Sequence, residues 1–361
     1  MGDPRDREYA ELLVGTCVDV QPGWQVLVLG SPLGRPLLEE VQRAIARRGA
    51  YALTELTFGG GMAITDRAWV REASLELLAK PAPIYEHILA TVDAIVAIQA
   101  PENTAESAGT PVERTQAIQA AYRDAQKRLL SHEVAWVGCQ YPTPALAQDA
   151  GMSTVEFADF LYGACLLDWD AERERMSRYA ARFDAAEEVR IVGEGTDLRL
   201  RIGGRTVEVD AGGANIPGGE FFCCPVEDSA EGTIAFTEFP GVHGGRNVDG
   251  IRLRFEAGKV VEASADSHQD YLLDTLDTDE GARRIGELGI GCNPGITRHM
   301  RNTLFDEKID GTVHIAIGAG FPNLGGTNVS GVHWDIVKDL RGGGRLELDG
   351  EVVQENGVWT F

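Results

Sequence analysis

The sequence predicts an α/β N-terminal domain built on a parallel sheet, followed by a β-rich α+β C-terminal domain. Three observations carry this prediction. Up to about residue 186, short apolar runs alternate with stretches of helical period. Beyond it the pattern turns to period-two alternation broken by glycine-rich turns. The chain has 361 residues, and about 150 residues per domain makes two domains the natural division. The expected domains are 1–186 and 187–361.

In order along the chain, residues 9–19 (YAELLVGTCVD) place apolar side chains at helical spacing. QVLVL at 25–29 is a buried strand, GSPLGRP at 30–36 a turn, and 35–48 a helix. The turn lacks both GxGxxG and GxxxxGK[ST], so it reads as a tight strand-to-helix connection and not as a phosphate cradle. Strands follow at 51–57, 92–99 and 133–138, with helices at 64–80 and 113–131. Two polar-faced helices close the first half, near 154–168 and 170–184. Short apolar strands separated by helices form parallel sheets covered on both faces. In the second half, 188–200 and 205–210 alternate at period two, and IRLRFEAGKVVEAS at 251–264 reads as a hairpin turning at Ala-Gly. A helix is expected near 267–288, with strands at 312–317 and 345–353.

Composition excludes several classes. Hydrophobic residues make up 43% and charged residues 25%, which is ordinary for a globular enzyme. The net charge of −23 argues against nucleic acid, whose recognition needs a basic patch, and against an anionic membrane surface. No apolar run reaches the roughly 18 residues of a membrane span. The N-terminal MGDPRDREYAELL has no apolar signal core. The six cysteines form no CxxC and sit among apolar neighbours, so they read as small buried hydrophobes in a reducing cytoplasm.

Five of the seven histidines (His243, His268, His299, His314 and His333) follow residue 240. In VSGVHWDIV, His333 and Asp335 share one strand face and Trp334 takes the other. His314 lies in the apolar run GTVHIAIG. A lone strand histidine is more often structural than catalytic, so the carboxylates matter. Glu220 (NIPGGEFFCCP), Glu287 (RRIGELGIGCNPGI) and Glu307 (LFDEKIDGTVH) lie in apolar or glycine-rich surroundings. An unpaired carboxylate there is costly. The compensating cations are either Lys308, Arg283 and Arg284 in salt bridges, or metal ions. Three Glu, one Asp and two His suit one or two Zn²⁺, Co²⁺ or Mn²⁺ ions, or one Fe²⁺. Adjacent Cys223 and Cys224 are poorly placed for joint chelation.

At these residues the chain resembles the thermophilic metalloaminopeptidases of the aminopeptidase T and aminopeptidase S type. The likeness runs in order through YAELLVGTCVDVQPGWQVLV, NIPGGEFFCCPVEDSAEGTI, GARRIGELGIGCNPGI, NTLFDEKIDGTVHIAIG and GGTNVSGVHWDIV. The resemblance implies that Glu220, Glu287, Glu307, His314, His333 and Asp335 bind two divalent ions, Zn, Co or Mn. It also implies a catalytic C-terminal domain, a homodimer, a peptide or amide substrate and the removal of N-terminal amino acids by two-metal hydrolysis. Glu287 and Asp335 are then the expected bridging ligands, and Glu220 doubles as a proton shuttle.

Two departures stand out. The family usually has a Tyr seven residues after the strand His; Phe321 stands there. The resemblance implies that the Tyr hydroxyl bonds the reacting carbonyl or the tetrahedral intermediate, and losing such a donor costs on the order of 100- to 1000-fold. The enzyme is then slow, or Asn323, Asn328 or His299 supplies the donor, or the scaffold serves another amide in biosynthesis. Second, FFCCP replaces the smaller or hydroxylated residues usual before that Pro. Two other classes remain. Hydroxypyridine ring-cleaving dioxygenases share the C-terminal scaffold and use one Fe²⁺, for which His314, His333 and Asp335 would be the triad; retention of the three glutamates argues against them. A metal-stabilised binding protein would have no need of all six donors.

Overall fold

The computed structural model describes residues 2–58, 67–106, 110–123, 128–129 and 133–361. It divides into two compact units, Met1–Leu166 with Gly212–Pro217, and Leu167–Ala211 with Gly218–Phe361.

The first unit is built on a five-stranded sheet in the order Tyr51–Leu56, Gln25–Gly30, Ala94–Gln99, Ala135–Gln140 and Asn215–Ile216. All neighbouring pairs are parallel. The VLVL and AIVAI runs are buried along their length, as expected where helices cover both faces. The turn after the first strand is a short 3-10 segment, Pro32–Gly34, leading into the helix Arg35–Arg47. The stretch 64–80 contains two short helices, Arg67–Glu72 and Leu75–Leu78, separated by Ser74, whose side chain caps the second; residues 64–66 lie outside the described residues. The helix expected at 113–131 is described over Val112–Ala121, with 124–127 and 130–131 outside. Helices Pro83–Thr91 and Pro144–Asp149 had no clear signal in the apolar periodicity. Thr154–Cys165 opens on a capping box between Ser153 and Glu156.

The second unit begins at Leu167, ahead of the change in sequence texture at 186/187. The helix Trp169–Asp184 belongs to it. Its Phe183 packs edge-on against Phe221, with ring centroids 5.0 Å apart. Packing of an apolar side chain, which composition does not display, places the helix with this unit. Two antiparallel sheets follow. An eight-stranded sheet holds Glu188–Gly193, Thr196–Arg201 and the hairpin Ile251–Glu256/Lys259–Ser264. That hairpin turns through Ala257 and Gly258, both at positive φ, the backbone a two-residue turn requires.

The five-stranded sheet is ordered His333–Asp339, Thr312–Gly318, Ile285–Gly291, Glu220–Cys223 and Glu208–Asp210. Here one sequence expectation is corrected. The helix near 267–288 covers only Gln269–Leu276, and Glu287 lies within a fully buried strand. Gly286, Gly289 and Gly291 made this stretch look like a turn. They are glycines because a Cβ at each would come within about 2.1 Å of Ala319 O, the His314 ring and Ile309 O respectively. None of the six cysteines is in a disulfide, and five are buried. Among the described residues, no helix is long and apolar enough to cross a membrane.

Candidate metal centre

The register of the smaller antiparallel sheet assembles the site. Across the ladders, Glu220 faces Gly291, and His314 faces Gly289. Ala316 is paired with Glu287 on one side and Asp335 on the other, while His333 faces Gly318. Directly opposed residues point to the same side of a sheet. Each large polar group therefore has a Gly or Ala beside it, which leaves room for the polar tips to converge. Gly289 is the tightest case: a Cβ there would lie 2.0 Å from His314 Cε1. Gly289→Ala is expected to turn the imidazole out and weaken metal retention by at least about 10- to 100-fold, the cost of disturbing a ligand's support. Equilibrium dialysis against Zn²⁺ checks this; unchanged retention would remove Gly289 from the site.

Two donor groups result. Glu220, Glu287 and His314 offer atoms within 4.8 Å of one another, and so do Glu287, His333 and Asp335. Glu287 belongs to both. Its Oε1 is 3.4 Å from His314 Nε2 and its Oε2 is 3.3 Å from His333 Nε2. His333 Nε2 is also 3.4 Å from Asp335 Oδ1. Each histidine is oriented from behind. His314 Nδ1–H donates to the Glu307 carbonyl (3.1 Å) and His333 Nδ1–H to the Ala319 carbonyl (2.9 Å). A carbonyl only accepts, so Nδ1 keeps its proton and Nε2 is the nitrogen left to coordinate. Glu220 Oε2 is buried without a hydrogen bond, 3.5 Å from His314 Nε2. A carboxylate oxygen left without a hydrogen bond, a shared carboxylate and two pre-oriented imidazoles suit Zn²⁺, Co²⁺ or Mn²⁺.

The electrostatics show how strongly this cluster wants cations. Burial alone would push the imidazoles toward neutrality. The hydrogen bond to Glu287 and the charges of Glu220, Glu287 and Asp335 overcome it and lift His314 to about 10. His333, bonded to Asp335 and Glu287, is lifted against burial to about 11. Burial raises Glu220 to about 8, although Lys308 opposes the rise. Asp335 is held at about 2 because the hydrogen bond and charge of His333 outweigh its burial.

The remaining sequence candidates fall as follows. Glu307 joins neither donor triad; its carboxylate is ion-paired with Lys308. Lys308, weighed from sequence only as a salt-bridge partner, is fully buried and also holds Glu220 Oε1 at 2.8 Å. The other cations weighed with it lie elsewhere: Arg283 pairs with Asp277, and Arg284 donates to the Glu227 carbonyl. Phe321 reaches the rim, its ring 5.4 Å from that of His333 and 5.7 Å from that of Phe222. Its N–H donates to Cys224 Sγ at 3.1 Å. The proposed substitutes for a tyrosine hydroxyl are engaged. The Asn328 amide donates to the Gly281 and Gly318 carbonyls, and Asn323 to Glu208. His299 faces Asp306 at 3.2 Å and stacks on Phe239. His243 stacks on Trp334 and bonds Tyr271, on the face opposite His333 and Asp335.

The cross-strand glycines escaped the sequence reading, although their signal was present: Glu287, Gly289 and Gly291 stand at i, i+2 and i+4, one face of a strand.

The model of the thermophilic metalloprotease (M29) family matches residues 3–359. The chain belongs to this family. It is accordingly a metal-dependent hydrolase, and the converged carboxylates and imidazoles are what that chemistry asks of its second unit. Aminopeptidase 2 of Geobacillus stearothermophilus is 27% identical, covering 98% of this chain and 97% of its own length. Among solved structures, wild-type AmpT from Thermus thermophilus superposes with a TM-score of 0.84 at 24% identity, covering 99% of each chain. The 2,5-dihydroxypyridine dioxygenase of Pseudomonas putida KT2440 superposes with a TM-score of 0.63 at 16% identity, covering 100% of this chain and 98% of that one. At these identities both likenesses concern the fold, which the M29 member therefore shares with an enzyme of different chemistry.

Proposed function

We propose that this M29 member is a dinuclear aminopeptidase that releases N-terminal amino acids from peptides. The observation that carries the reading is the sharing of Glu287 between two three-donor groups. Bound divalent ions would supply Lewis acidity toward the scissile carbonyl and make water a nucleophile near neutral pH. The chain's own residues do the rest. Glu220 Oε2, Glu287 and His314 Nε2 form one position, and Glu287, His333 Nε2 and Asp335 the other. A free, unprotonated α-amine would serve the centre as an additional nitrogen donor, which would restrict cleavage to N-termini. Phe222 and Phe321 line its edge with apolar surface suited to the first side chain.

The proton-shuttle role fits Glu307 better than Glu220. Glu307 is needed by neither triad, and burial raises its carboxyl above the usual range against the pull of Lys308. With Oε1 held by Lys308, its other oxygen would take a proton and return it to the leaving amine. The reading extends to a homodimer in the cytoplasm, the assembly being checked by sedimentation.

The test is metal content by elemental mass spectrometry with an assay on amino-acid amides and their N-acetylated forms. About two Zn, Co or Mn ions per chain and hydrolysis only of the free amines are expected. One iron with oxygen uptake would replace this reading with the dioxygenase; no retained metal would overturn it.

Proton release gives a second check. In the metal-free centre, His314 (about 10) and His333 (about 11) carry protons at pH 7. Those on Nε2 must leave before the nitrogen can coordinate. Adding Zn²⁺ at pH 7 in weak buffer should therefore acidify the solution. Apparent affinity should fall as pH falls, by about tenfold per pH unit for each proton displaced. Uptake without proton release would place the metal elsewhere.

A further inference from the structure

The two donor groups are not equivalent, and the difference is Lys308. Its side chain is fully buried, with Nζ 2.8 Å from Glu220 Oε1 and in contact with Glu307 Oε1. The main chain holds it there: the Lys308 N–H donates to the Phe305 carbonyl (3.0 Å), and its own carbonyl accepts from Asn293 N–H (2.9 Å). By contrast, Glu287 and Asp335 are ion-paired only with His314 and His333 among the described residues.

Resting on the two-ion reading, we propose that Lys308 makes the centre fill in sequence. The Glu287–His333–Asp335 position takes the first ion tightly. The Glu220–Glu287–His314 position takes the second one weakly. Two physical effects act at the second position. Lys308 occupies one oxygen of Glu220, which leaves Oε2 as a single-oxygen donor. The ammonium also repels a cation that shares the same carboxylate, and in a buried site this repulsion is weakly screened and falls with distance. Among the described ion pairs Lys308 touches a donor of the second position, Glu220, and none of the first, so the first is affected less. The chain thus carries a built-in positive charge beside its second metal position, and the working enzyme's occupancy there depends on the available metal concentration.

The experiment is a stepwise titration of the metal-free full-length protein with Co²⁺, followed by its visible ligand-field spectrum and by direct metal analysis. Neither readout needs activity. Two steps are expected, the second at least tenfold weaker. Lys308→Met, of similar length and without charge, should narrow the gap at least tenfold, while Lys308→Arg should preserve it. Glu220→Gln should remove the weak step and leave the tight one, and this keeps the idea testable if Lys308→Met does not fold. Two equal steps in the wild type, or an unchanged gap in a folded Lys308→Met, would overturn the proposal while leaving the two-ion hydrolase standing. A single tight site that takes iron in preference, or no uptake at all, would overturn the two-ion reading and the proposal with it.

Discussion

Glu287→Ala is expected to abolish stable metal retention and to lower amide hydrolysis by well over 100-fold. Glu287 is 5% exposed and offers one oxygen toward each histidine, Oε1 at 3.4 Å from His314 and Oε2 at 3.3 Å from His333. Loss of a mere outer partner of a metal ligand already costs about 10- to 100-fold in affinity. Losing the donor common to both groups removes more. It also deprives both imidazoles of the carboxylate that keeps them fixed. Metal analysis after dialysis and kcat/KM on an amino-acid amide read the two effects together. Retention of both ions with near-normal turnover would end the bridging role. Glu287→Gln separates charge from shape, since it keeps the carbonyl oxygen and loses one anionic donor; its metal loss should be intermediate.

Phe321→Tyr is the second large effect, and its sign is opposite. The ring at this position lies against His333 and Phe222, at the rim of the centre. Asn323, Asn328 and His299 are committed to Glu208, to two main-chain carbonyls and to Asp306. None of these three stands ready to replace a hydroxyl donor toward the reacting carbonyl. Restoring it should raise kcat on amino-acid amides by on the order of 100-fold, the scale of one oxyanion donor, with metal content unchanged. KM should move little, because such a bond strengthens chiefly in the transition state. An unchanged kcat at full metal loading would show that the missing hydroxyl does not limit turnover, and would direct the search to other amide substrates.

Some of the centre was legible before any coordinates. HWD places His333 and Asp335 on one face because strand side chains alternate, and the observed strand His333–Asp339 does this, with Trp334 1% exposed on the other face. Glu220, Glu287 and His314 stood out because polar groups in apolar runs need an explanation. Their mutual arrangement was not legible. Glu287 read as the end of a helix, because glycines at every second or third position mimic a turn. What they supply is space for His314 and for neighbouring carbonyls, a requirement set by strands distant in the chain. Glu307 and Lys308 read as a local salt-bridge alternative to metal. The fold uses the pair alongside the donor groups, since Lys308 also reaches back to Glu220.

By itself the sequence determined the fold class, a parallel α/β unit followed by antiparallel sheets, because side-chain period and turn chemistry are local properties of the chain. It also pointed to divalent metal ions, because carboxylates and imidazoles gathered in apolar runs suit such cations. Tertiary structure alone decided that Glu287 belongs to both donor groups, that main-chain carbonyls hold Nδ1 of both histidines, and that Lys308 stands beside Glu220. Each of these depends on cross-strand register and on main-chain carbonyls contributed by other segments, and strand pairing sets both only when the chain is folded.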